Sequence, residues 1–111
     1  MINGLKVLFA AILALMLYVT VTAAMERGVF VAGAELWRNA WFRATLADAY
    51  CGFVTFYAWV FYRERGAAAR AGWLVGILAL GNIAMSLYVL LRLVRMPPGA
   101  GVERLLLRDA R

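Results

Sequence analysis

Few side chains in this 111-residue sequence can do chemistry, and they stand in apolar surroundings. Asp48 interrupts the run from Ala44 to Tyr62, while Asn82 and Ser86 interrupt the run from Ala71 to Leu91. Hydrocarbon offers no water to satisfy such groups, so each needs a partner or a task. As a task, Asp48 would carry a proton or bind a cation, as ionisable residues inside membrane helices do. As structure, Asp48 and Asn82 would tie helices together through a hydroxyl, an amide or Arg43, at about 0.6 kcal/mol per bond. The sequence leaves both readings open.

The rest of the inventory narrows the field. There is no histidine, which removes the commonest general base, metal ligand and haem ligand together. The lone Cys51 excludes a disulfide framework and reads as a small buried hydrophobe. With no nucleophile and base pair and no metal set, the expectation is a non-enzyme without cofactors. The aromatic run from Phe53 to Tyr62 reads as helix surface with an interfacial belt rather than a pigment pocket.

These residues need elements to hold them, and composition says which. Hydrophobic residues make up 66% of the chain and charged residues 16%, against roughly half and a quarter in a soluble domain. Too little polar surface remains to cover the chain in water, so a lipid bilayer is the expected solvent. The net charge of +6 does not indicate nucleic acid, because the arginines punctuate apolar runs as helix flanks facing headgroups do.

Three spans follow, at residues 6–25, 43–62 and 71–92. From Val7 to Met25 no charge occurs, a length of about 28 Å and close to the hydrocarbon thickness. A signal peptide, cut after Thr22-Ala23-Ala24, competes, but the stretch exceeds a typical signal core. The connection from Glu26 to Arg43, with Gly28, Gly33, Trp37 and Trp41, reads as an interfacial loop. The uncharged part of the second span, Ala49 to Tyr62, is too short to cross, so that helix includes Asp48. A carboxylate at a helix centre costs roughly 2.5 to 3.5 kcal/mol, which about ten apolar residues offset. The turn at Gly66 to Arg70 makes the second and third helices antiparallel neighbours. Met96-Pro97-Pro98-Gly99 then ends helical structure. Residues 96–111 form a tail, either disordered or a short interfacial helix with Arg104, Arg108 and Arg111 on one stripe.

Register brings the polar residues together. With Tyr62 and Gly72 level at the turn, Asp48 lies at the depth of Ser86 and one turn from Asn82. The first helix, traced from its other end, brings Tyr18 and Thr20 to the same depth. Tyr18, Thr20, Asp48, Asn82 and Ser86 are therefore the candidate intramembrane polar cluster. Trp37, Trp41, Arg43, Tyr62 and Arg92 are the expected interface anchors. The seam through Trp41, Thr45, Asp48, Gly52, Thr55, Trp59 and Tyr62 is the expected packing face of the second helix. Three crossings place the first connection and the tail on one side with most of the arginines, which favours a cytoplasmic carboxyl terminus in a plasma (inner) membrane.

Two stretches carry a resemblance: Asp48-Ala49-Tyr50-Cys51-Gly52-Phe53-Val54-Thr55-Phe56-Tyr57-Ala58-Trp59-Val60 and Gly81-Asn82-Ile83-Ala84-Met85-Ser86-Leu87-Tyr88-Val89-Leu90. The chain, from about residue 1 to 93, resembles an uncharacterised family of small membrane proteins, domain of unknown function 1475. That resemblance implies no activity, substrate or cofactor. It implies only that Asp48, Asn82 and their aromatic neighbours are part of a family pattern.

The expected protein is thus all-α, an integral membrane bundle of about three transmembrane helices with a short basic C-terminal tail. Three short helices enclose little volume, so a homo-oligomer or a larger membrane complex is expected. The function read from this is a non-enzymatic accessory or scaffold subunit. The alternative is a small transporter or proton-linked channel subunit that uses Asp48 as its ionisable site.

Overall fold

A computed structural model describes residues 2–107, and every regular element among them is an α-helix. In chain order these are α1 (Ile2–Glu26), α2 (Val29–Leu36), α3 (Ala40–Arg63), α4 (Ala67–Leu80), α5 (Asn82–Arg95) and α6 (Val102–Leu106). The all-helical expectation therefore holds. Among the described helices only α1, with 25 residues, is both long and apolar enough to cross a membrane, a property that a signal sequence shares. α3 has the length, 24 residues, but Arg43 and Asp48 dilute its apolar character.

The third span is not one helix. α4 and α5 are 14 residues each and fold back on one another at Gly81. Each is about 21 Å long, well short of the roughly 30 Å hydrocarbon thickness. Trp73 and Tyr88 would stand about 22 Å apart along a continuous helix, yet their rings meet at 4.8 Å. Gly81 makes the reversal with φ of 57° and ψ of −122°, which a residue bearing a Cβ rarely adopts. A Cβ there would also lie 2.7 Å from Cζ of Phe53 on α3. The backbone ladder of α4 ends with the Gly81 N–H donating to Ile77 O at 2.7 Å. It resumes with the Met85 N–H donating to Gly81 O at 3.0 Å.

The two hairpin arms, α3 and α1 share the core. Val60 of α3, Ile77 of α4, and Ala84 and Tyr88 of α5 are buried together, with Phe53, Phe56, Tyr57, Trp59 and Trp73 against them. Val89, Leu93 and Leu105 form a second buried group, on which Ile2, Leu5 and Phe9 of α1 pack. α1 thus runs antiparallel to α5, and its partly covered face ends at Met16, where α5 runs out at Asn82. The hairpin turn reaches only the level of Phe53, about half-way along α3. Beyond it α1 and α3 continue without the hairpin between them, and their far ends are joined by α2.

α2 is helical where an interfacial loop is expected. Gly28 is extended and starts it, and an ion pair from Arg27 to Glu35 ties it to the end of α1. α3 begins cleanly because the Asn39 side-chain oxygen accepts from the N–H groups of Trp41 and Phe42, at 2.9 and 3.2 Å. The tail is helical over α6, while Arg108 and Arg111, expected on its stripe, lie outside the described residues.

Candidate functional site

Asp48 sits in the third turn of α3 and points away from the bundle. On α3 the positions turned toward the core are Phe53, Phe56, Tyr57 and Val60. Asp48 lies on the opposite side with Ala44, Ala47, Cys51, Thr55 and Ala58, all exposed. The expected packing seam through Thr45, Asp48, Gly52 and Thr55 is therefore the outer face, and only Trp59 of it reaches the core. The reason is size. Large aromatics at helical spacing fill the space around Tyr88, and the small and polar residues are left outside.

The five residues of the candidate polar cluster are not joined. Tyr18 and Thr20 are exposed on α1 beyond the reach of α5. Asn82 is exposed at the start of α5. Ser86 is buried, but its hydroxyl donates to its own helix, to Asn82 O at 2.7 Å and Ile83 O at 3.2 Å. Among the described residues no hydrogen bond links Asp48 to any of the other four. The fold-back at Gly81 is one cause, because only a straight helix from Ala71 to Arg92 carries Asn82 and Ser86 to the depth of Asp48.

What the structure does assemble is a polar knot at the end of the bundle where α3 ends and α4 begins. Glu64 accepts a hydrogen bond from the Tyr88 hydroxyl at 2.8 Å and forms an ion pair with Arg92. Tyr88 is ringed by Phe56, Trp59 and Trp73 in edge contacts. Arg70 donates from Nε to Glu64 O at 2.8 Å and Phe61 O at 3.0 Å, with its guanidinium 3.8 Å over the Phe61 ring. Arg63 is buried and donates to the carbonyls of Arg104, Leu105 and Leu107, while the Trp59 indole donates to Leu106 O at 2.8 Å. α6 is thereby pinned beneath the bundle. The sequence signal for this knot was present in the charged triplet Arg63-Glu64-Arg65 and in Tyr88 and Arg92, one turn apart.

The expected anchors divide accordingly. Trp37 and Trp41 are exposed at the junction of α2 and α3, Arg43 is exposed on the first turn of α3, and Tyr62 is exposed at its other end. Arg92 is turned inward to Glu64 instead of standing at the surface. Two open, apolar grooves of about 530 and 610 Å³ flank α2, and Asp48 lines neither. No group of three or more His, Cys, Asp or Glu side chains suited to a metal occurs among the described residues.

Comparison with known proteins is sparse: no curated protein and no solved structure matches the chain. One family pattern matches residues 1–108, extending past the Met96-Pro97-Pro98 break into the tail. The chain belongs to that family, described as protein of unknown function (DUF1475).

Proposed function

We propose that the chain is a small multi-pass membrane protein, a non-enzymatic scaffold subunit that pairs with a second copy of itself through the outer stripe of α3. The supporting observation is the direction of Asp48, exposed on the helix face opposite the core. A carboxylate facing lipid within a span carries a cost of up to roughly 2.5 to 3.5 kcal/mol, the figure for a helix centre. Burial against a second α3, related by a twofold axis, removes it from lipid. The alanines at 44, 47 and 58 allow the close backbone approach that such pairing uses.

In this reading α1 and α3 cross the bilayer, and α4 and α5 enter and leave from one side as a re-entrant hairpin. Both ends of the described chain then share a side with the Glu64 knot. That side carries Lys6, Arg63, Arg65, Arg70, Arg92, Arg95 and Arg104, against Arg27, Arg38 and Arg43 on the other. The bias favours a cytoplasmic location for both ends and agrees with Lys6 near the amino terminus. Apolar side chains such as Val7, Leu15, Val21 and Phe30, the last 90% exposed, then face lipid.

Cys51 provides the test, since it is the sole cysteine and lies exposed on the same stripe as Asp48. Oxidative cross-linking in native-like membranes should give a covalent dimer, and Ala47→Trp should suppress it. A chain that stays monomeric in membranes and gives no cross-link overturns the reading.

A further inference from the structure

Beneath the bundle, α3, α5 and α6 bring four arginines to one cavity of about 50 Å³, lined by Arg63, Arg92, Arg95 and Arg104 together with Met96 and Pro97. Part of this clustering has an ordinary cause. Arg63 lies in the last turn of α3, and Arg92 and Arg95 in the last turn of α5, where cations offset the helix dipole. That accounts for neither Arg104, which comes from another helix, nor the convergence of all four on the same space.

Two of these arginines, Arg95 and Arg104, carry no ion pair among the described residues. Glu64 is engaged with Arg92 and Tyr88. Glu103 is exposed and curls toward the backbone of Gly101. Arg63 is held rigidly by the three carbonyls of the tail, so its position is fixed before any ligand arrives. Arginine forks fixed around a small cavity fit an oxyanion through paired, charge-assisted hydrogen bonds. The volume is several times the ~10–15 Å³ that one water needs, and far below the ~300–1,000 Å³ of a pocket for an organic ligand.

We propose that this cavity binds a single phosphate group, seated between Arg95 and Arg104 with Arg63 and Arg92 behind it. The phosphate comes either from an anionic phospholipid headgroup or from free phosphate. The site requires only the folded base, so it stands or falls separately from pairing through α3.

The test uses the full chain in a neutral detergent and in nanodiscs of phosphatidylcholine. In the first arm inorganic phosphate is titrated and the unfolding temperature followed; in the second, phosphatidic acid is added to the nanodiscs. A rise with inorganic phosphate assigns the site to the free ion, and a rise with phosphatidic acid alone assigns it to the headgroup. In either case Arg95→Gln with Arg104→Gln should weaken binding more than about tenfold, since each removes a charged hydrogen-bond donor. Both side chains lie outside the core, so the double variant should unfold at the wild-type temperature without ligand. No rise with either probe, or an equal rise in the double variant, overturns the proposal.

Discussion

The hydroxyl of Tyr50 on α3 donates to the carbonyl of Leu78 on α4 at 3.0 Å. Leu78 stands three residues before the reversal, where the next turn of helix no longer follows and its carbonyl has lost the N–H that would have come from Asn82. One side chain from the neighbouring helix therefore supplies a bond that the backbone gave up at Gly81. Non-helical backbone in an apolar setting is tolerated where neighbours re-satisfy the freed groups. Tyr50→Phe keeps the ring and its edge contact with Phe53 and removes only the donor. It should lower stability by about 1 kcal/mol in detergent unfolding. A variant as stable as the wild type would show that water or detergent serves the Leu78 carbonyl equally well.

Gly81 is the second half of that device. Gly81→Ala places a Cβ on a backbone with φ of 57° and against the Phe53 ring. Strain of this kind costs of order 1–3 kcal/mol before the ring contact is counted. Two responses are available: loss of stability, or straightening of α4 and α5 into one long helix. Far-ultraviolet circular dichroism with thermal unfolding separates them, because straightening raises helicity while strain lowers only the transition. Loss of stability at constant helicity is the expected outcome, since the Ile77, Ala84 and Tyr88 contacts hold the arms together.

The hairpin also explains what the sequence could and could not convey. Helix ends were legible to within about a turn because charges and prolines mark them: Arg43 lies in the first turn of α3, Arg63 ends it, Arg92 lies in the last turn of α5 and Pro97 follows it. Gly81 was not legible as a reversal. Glycine is frequent in membrane helices and carries no sign of its φ, and the run from Ala71 to Leu91 satisfies the length rule for a span. A straight helix puts Ser86 and Asn82 at a depth that the reversal at Gly81 does not give them. Asp48 lies on α3, but on its outer face and not on a packing seam. Polarity suggests an inward face only where the interior lacks better occupants, and here Phe53, Phe56, Tyr57 and Val60 fill it. Glu64 gives no signal of its own, because it stands between Arg63 and Arg65 in a charged triplet at the end of an apolar run.

That glutamate gives the third prediction. Glu64 is the carboxylate partner of Arg92, and the two side chains are 13% and 19% exposed. Glu64→Gln keeps an acceptor for the Tyr88 hydroxyl but leaves Arg92 without its counter-charge. Breaking a fully buried pair costs about 3–5 kcal/mol, and the residual exposure here brings the expected loss to about 1–3 kcal/mol. The loss belongs to the pair, so Arg92→Gln in the Glu64→Gln background should add less than it does alone. A double-mutant cycle in chemical unfolding reads this directly. Strict additivity would show that the two side chains contribute independently.

Asp48→Asn separates scaffold from transporter. Asp48 makes no hydrogen bond or ion pair among the described residues, so the folded monomer should be within about 0.5 kcal/mol of the wild type. The consequence should instead appear between copies, as a change in Cys51 cross-linking yield, because amide and carboxylate differ in how they pair across a twofold axis. Under the transporter reading the same variant would abolish a pH-dependent flux in proteoliposomes with the oligomer intact. The arrangement on α3 leads us to expect no such flux in the wild type, since the polar residues that would relay a proton from Asp48 are spread over α1 and α5. A wild-type flux that vanishes in Asp48→Asn while cross-linking is unchanged would make Asp48 a transport residue and displace the scaffold assignment.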